Sequence, residues 1–246
     1  MELPLPEYIE ARIRQRPPDG LPVVPGSTPV VAFGDVRNAT VATLGWNPSK
    51  LEFLDSAGNE LTGQERRLET LSSLGAGDLS SAKHDVIHRV FQGCNDYFQL
   101  QPYRKWFGVL EKVLHLQDVS YYNGTACHLD FVQWATDPTW RDLQRAAKQR
   151  LIGADLPFLR QQLAQEHIQL LLLNGSGIAK ACSESLGFDL TETQLPGRPA
   201  IRLFVGRTPE GVRVIGWNLN LQSSFGVSNA YINAVGMAIQ QIHSRS

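Results

Sequence analysis

The short apolar run at 168–173, closed by Asn174-Gly175-Ser176-Gly177, constrains the fold more than any other feature of the sequence. A segment this short and this apolar is what a strand buried on both faces requires, and such strands belong to parallel sheets covered by helices. Helical spacing resumes at Ile178, so the polar turn should open a helix with its backbone N–H groups pointing outward, where an anion is favoured.

The rest of the chain fits that frame. Residues 8–16 have helical spacing and stop at Pro17 and Pro18, so 1–28 reads as an arm packed on one domain of residues 29–246. Two β-rich runs, 29–33 and 40–44, come next, and the second enters Gly45-Trp46-Asn47-Pro48-Ser49, where glycine and proline end a strand. Helical spacing marks 65–74, 83–98, 104–114 and 156–165. A strand within 119–134 stops at Ala135-Thr136-Asp137-Pro138, with a further helix expected near Pro138. The runs 200–206 and 211–217 flank a hairpin turn, and a last helix reaches about Ile242. This order predicts an α/β three-layer sandwich, an open and mostly parallel central sheet with helices on both faces. Ligands collect beyond the carboxyl ends of such strands, which singles out the loops 45–53, 128–138, 174–177 and 218–228.

Composition narrows the function. A chain of 246 residues, 42% of them hydrophobic, closes one core without metals or disulfides. The net charge of -1 gives no bulk attraction to nucleic acid, so phosphate binding needs a local basic face. The basic clusters Arg141, Arg145, Lys148, Arg150 and Arg198, Arg202, Arg207, Arg213 are candidates, though a solvated face explains them equally simply. Cys94, Cys127 and Cys182 form no CxxC pair, and a reducing, cytoplasmic setting is expected. The first residues lack a signal-peptide pattern and no run is long enough to span a bilayer. The histidines have no HExxH spacing, and His84 with His88 lacks an obvious third ligand, so neither metal nor cofactor is expected.

All four of these loops carry a resemblance. The segment Val41-Ala-Thr-Leu-Gly-Trp-Asn-Pro-Ser49 resembles the first motif of the uracil-DNA glycosylase superfamily, a strand followed by G-x-N-P-G as in its mismatch-specific and single-strand-selective members. Gly45, Asn47 and Pro48 match, and Ser49 replaces the last glycine. The segment Ile215-Gly-Trp-Asn-Leu-Asn-Leu-Gln-Ser-Ser224 takes the place of the family's N-P-S-G-L-S loop, without its prolines and with Gln222 where a leucine wedges into the base stack. Leu129-Asp-Phe-Val-Gln133 resembles the family's base-reading segment, with Asp130 where an asparagine usually stands. The Leu-rich strand ending at Asn174-Gly-Ser-Gly177 and its helix resemble the family's third strand and phosphate-contacting turn, and the likeness runs in the right order over about residues 40–243.

The resemblance implies a monofunctional DNA glycosylase that flips a base and hydrolyses its N-glycosidic bond, leaving an abasic site. Asn47 would hold the attacking water and Asn218 would donate to the departing base at O2. Trp46, Phe53, Asp130 and His128 would line the base site. Ser176, Lys180, Gln222 and Ser223 would touch DNA. The expected partner is therefore DNA, bound by a monomer with no membrane. Asp130 points to the substrate, because a carboxylate offers only acceptors and pairs with the amino group of cytosine rather than with uracil O4. A cytosine derivative follows, such as the glucosylated hydroxymethylcytosine removed by superfamily members in phage defence. A conventional uracil glycosylase and a catalytically silent nucleic-acid-binding module are the alternatives. Each residue also has a plain reading: a strand-ending turn at 45–49, a buried paired acid at Asp130, a core histidine at His128, core aromatics at Trp46 and Phe53.

Overall fold

Six strands form one sheet: β1 (Val41–Gly45), β2 (Ala126–Asp130), β3 (Leu170–Asn174), β4 (Leu190–Leu195), β5 (Arg198–Arg207) and β6 (Arg213–Trp217). Their order is β2-β1-β3-β6-β5-β4. β3 pairs in parallel with β1 on one side and β6 on the other, while β5 is antiparallel to both β6 and β4. β1, β3, β6 and β4 thus share one direction, and the sheet is mixed but mostly parallel. This computed structural model describes residues 5–195, 197–222 and 227–244.

Every residue of β3 is buried. Successive strand side chains point to opposite faces, so both faces are covered, which is the three-layer α/β arrangement expected from the apolar run. α6 (Ser176–Leu186) packs on β3 and β6, and α4 (Arg104–His115) packs with α7 (Asn229–Ser244). Gly175, between β3 and α6, has φ 105 and ψ 152, a region open essentially to glycine alone. An added Cβ would also stand 3.3 Å from Asn220 N. Gly175→Ala is expected to cost about 1–3 kcal/mol of stability, read as a lower denaturant midpoint at unchanged m.

The chain divides into two units of interleaved segments. The first comprises Met1–Gly34, Trp46–Pro102 and Leu129–Gln162, and the second Asp35–Gly45, Tyr103–His128 and Leu163–Ser246. The first holds α1 (Glu7–Ile13), α2 (Leu71–Leu74), α3 (His84–Asn95) and most of α5 (Arg145–Gln165). α1 buries Ile9 and Ile13 fully.

Several elements differ from the sequence expectation. Residues 29–33 form no strand, although Val30, Val31, Ala32 and Phe33 are buried. Their backbone is satisfied piecemeal instead: Val30 N donates to Gln133 O, and Val31 O accepts from Gln162 Nε2. Within 65–74 only α2 is α-helical, started by a reciprocal cap between Thr70 and Ser73 and stopped by Gly75. α5 begins at Arg145, eleven residues ahead of the expected 156, with Pro157 inside it. Proline removes a single ladder bond there, and the residue four positions earlier, Gly153, has no side chain to add to the crowding. β4 was not expected because its exposed Thr191, Glu192, Thr193 and Gln194 show no apolar alternation.

Candidate active site

The first unit binds the loop after β1 to the segment after β2. Val132 N donates to Trp46 O at 3.0 Å. The Asn47 Nδ2 group donates to Trp134 O and to Thr136 Oγ1, both at 3.1 Å. Lys50 Nζ lies 2.8 Å from Asp137 Oδ1. With both amide hydrogens committed, the Asn47 carboxamide has one orientation, and among the described residues its Oδ1 accepts no hydrogen bond. Ser49, where the glycosylase-like pattern is broken, caps a 3₁₀ turn at Lys50–Glu52 by accepting from Leu51 N at 3.2 Å. A serine oxygen here satisfies a donor that glycine would leave to solvent.

Aromatic rings flank this loop. Trp46 is stacked on Trp140, with centroids 5.5 Å apart and planes at 17°, and meets Phe131 at 5.7 Å. Both tryptophans are half-buried, so the surface beside Asn47 is a two-ring shelf rather than a single tryptophan. Phe53, expected to stack on a base, is 1% exposed and is a core ring with no face open to a ligand.

Two buried acids stand close enough to feel each other's charge. Glu52 accepts from the Tyr97 hydroxyl at 2.7 Å. Burial raises its carboxyl to about 7, against the lowering influence of the Tyr97 bond and of Arg67, and Asp130 adds to the rise. Asp130 is buried at the end of β2, and its carbonyl accepts from Gln133 Nε2 at 2.8 Å. Gln133 is held in turn. Its N–H donates to Asp155 Oδ2 at 2.8 Å, and its Oε1 accepts from Arg12 Nε at 3.2 Å. Arg12 Nη2 pairs with Asp155 Oδ1 at 2.9 Å, each side chain within 3% of full burial, and the guanidinium lies 5.2 Å from the Trp134 ring centroid. A chain of buried contacts therefore runs from α1 to the backbone of Asp130.

The remaining candidates lie in the second unit. His128 is 5% exposed, its Nδ1 2.7 Å from Thr43 Oγ1 and its ring edge-on to Phe107. Thr43 also meets the Tyr121 hydroxyl, so the histidine belongs to a satisfied interior network. Asn218 Oδ1 accepts from Arg202 N and Tyr231 OH, and its Nδ2 donates to Ala200 O. Its carboxamide anchors the end of β6 to β5, which leaves a single N–H for a departing base. Ser176 directs both its N–H and its hydroxyl to Asn218 O. Lys180 is exposed and lies 3.7 Å from Glu184. Gln222 is tied to Asn174 and to Trp106 O. Asn174 itself organises this loop, accepting from Trp217 Nε1 and Leu221 N while donating to Asn220 and Gln222. Ser223 lies outside the described residues.

Glu52, Tyr97 and Trp140 were not among the residues singled out from sequence. The cysteines are free and buried, and burial pushes the Cys94 thiol up to about 11. Among the described residues no group of three or more His, Cys, Asp and Glu side chains is arranged to hold a metal, and no helix is long and apolar enough to cross a membrane. Compared with known proteins, the sequence matches no protein-family model and no curated relative.

Proposed function

We propose that the protein is a monofunctional DNA glycosylase that extrudes a cytosine derivative and hydrolyses its glycosidic bond. The observation that carries this reading is the clamped carboxamide of Asn47, whose fixed orientation leaves Oδ1 to accept from a water. Cleavage of an N-glycosidic bond passes through an oxocarbenium-like sugar, by analogy with glycoside hydrolysis, so it needs a positioned water more than a strong base. The Trp46–Trp140 shelf beside Asn47 suits an unstacked nucleobase. Asp130 supplies an acceptor of the kind a cytosine amino group requires. A large 5-substituent, as in glucosylated hydroxymethylcytosine of phage DNA, would spare ordinary cytosine and make anti-phage defence the biological role.

The test is release of free base from matched oligonucleotides carrying uracil, cytosine or glucosylated hydroxymethylcytosine. Wild-type protein is expected to release the glucosylated base. Asp130→Asn is expected to weaken that activity by about 1–3 kcal/mol and to shift preference toward uracil. Uracil as the sole wild-type product, with no response to Asp130→Asn, contradicts the assignment of a cytosine-type substrate.

A further inference from the structure

The first turn of α4 departs from what an ordinary surface helix prefers. It opens with Arg104, Lys105 and Trp106, all exposed, and Trp106, at 43%, is the most exposed tryptophan among the described residues. Two cations stand at the positive end of the helix dipole, with no acid in that turn and no side-chain cap from Tyr103 to offset them. Among the described residues neither makes an ion pair. The inward stripe of the helix, Phe107, Leu110, Glu111 and Leu114, is complete without these three residues. Local choices that cost helix stability and add nothing to the core are expected where a surface serves a ligand.

The turn is also held in place. Gln222 bridges it to the end of β3, its Nε2 donating to Trp106 O and its Oε1 accepting from Asn174 Nδ2, both at 3.0 Å. The Arg104 guanidinium lies 5.0 Å from the centroid of the Tyr122 ring, which stations it beside the turn. All of these residues belong to the second unit.

We infer that Arg104, Lys105 and Trp106 form a binding surface for single-stranded DNA, in which the Trp106 indole stacks on an unpaired base and the two cations take the flanking phosphates. The occupant must bring negative charge to the cations and a flat apolar face to the ring, and a single strand offers both in every nucleotide. A duplex offers the phosphates but keeps its base faces stacked against each other. The inference rests on the reading of the protein as acting on DNA, and it adds which form of DNA is bound.

The experiment measures binding of a labelled oligothymidine of about 12 nucleotides, and of its duplex with the complementary strand, by fluorescence anisotropy across a salt series. The proteins compared are wild type, Trp106→Phe, Trp106→Ala and the double variant Arg104→Ala with Lys105→Ala. Thymidine supplies bases and phosphates without a target for excision, so binding is read apart from chemistry. Wild type is expected to favour the single strand. Trp106→Ala is expected to weaken that binding about 10- to 100-fold, and Trp106→Phe to recover most of the loss. The double variant is expected to lower the slope of log K against log salt by about 1.4, about 0.7 for each phosphate contact. All variants should keep the wild-type denaturant midpoint, because the substituted side chains are exposed. A wild type that prefers the duplex, or Trp106→Ala binding as wild type does, overturns the inference and leaves base excision standing. The second result, joined to a changed sedimentation coefficient, assigns the ring to a contact between copies of the protein. Trp106-dependent binding with no base released from any modified strand overturns base excision and leaves the inference standing.

Discussion

Asn47→Ala is expected to lower the rate of base release by about 10²- to 10³-fold while leaving DNA affinity within a few-fold of wild type. The size follows from what is removed. The carboxamide spends its two hydrogens on Trp134 O and Thr136 Oγ1, so its oxygen is held at one place, and no neighbouring side chain in that ladder duplicates it. Alanine leaves the attacking water without its acceptor and leaves Trp134 O short of a donor, which costs about 1–3 kcal/mol of stability if water cannot enter. Single-turnover release and filter binding on the same oligonucleotide separate the two effects. Equal loss of binding and release would mean that Asn47 supports the loop and does not hold the water.

Arg12→Ala should destabilise the protein by about 3–5 kcal/mol, the largest stability change expected at any single position considered. Arg12 and Asp155 are both 2% exposed, and burial works against the charge on each, holding the guanidinium below and the carboxyl above its ordinary range. The paired state repays that cost through their mutual attraction, through Gln133 and through the rings of Trp134 and Phe158. Alanine would leave Asp155 as an uncompensated buried charge. Because Gln133 also holds the carbonyl of Asp130, the variant should lose base discrimination as well as denaturant resistance. Arg12→Met with Asp155→Leu, an apolar pair of similar volume, should recover much of the stability. A double variant no more stable than Arg12→Ala would show that the pair is not the source of the loss.

What could be read from the sequence was whatever leaves a local pattern. β1, β3 and the hairpin of β5 and β6 announce themselves because burial or alternation fixes their composition and glycine or proline marks their ends. The stretch 29–33 misleads because it is as apolar as a strand yet takes its hydrogen bonds from Gln133 and Gln162, partners far away in the chain. β4 escapes notice because solvent contact removes the alternation that would reveal it. The same distinction holds at the candidate site. Asn47 was legible through Gly45 and Pro48, whereas nothing around Glu52 distinguishes it from a solvated acid until Tyr97 is folded against it. Trp140 likewise gains meaning only from Trp46 stacked on it. Asn218 was legible as a loop asparagine, but not the use of its carboxamide to join β6 to β5.

The most direct measurement is mass spectrometry of the base set free when the purified protein is incubated with DNA carrying glucosylated hydroxymethylcytosine, with abasic sites counted on the same strands. One glucosylated hydroxymethylcytosine is expected to be released per abasic site formed, and almost none by Asn47→Ala. Intact strands and no free base, from this DNA and from its uracil and cytosine counterparts, would contradict base excision.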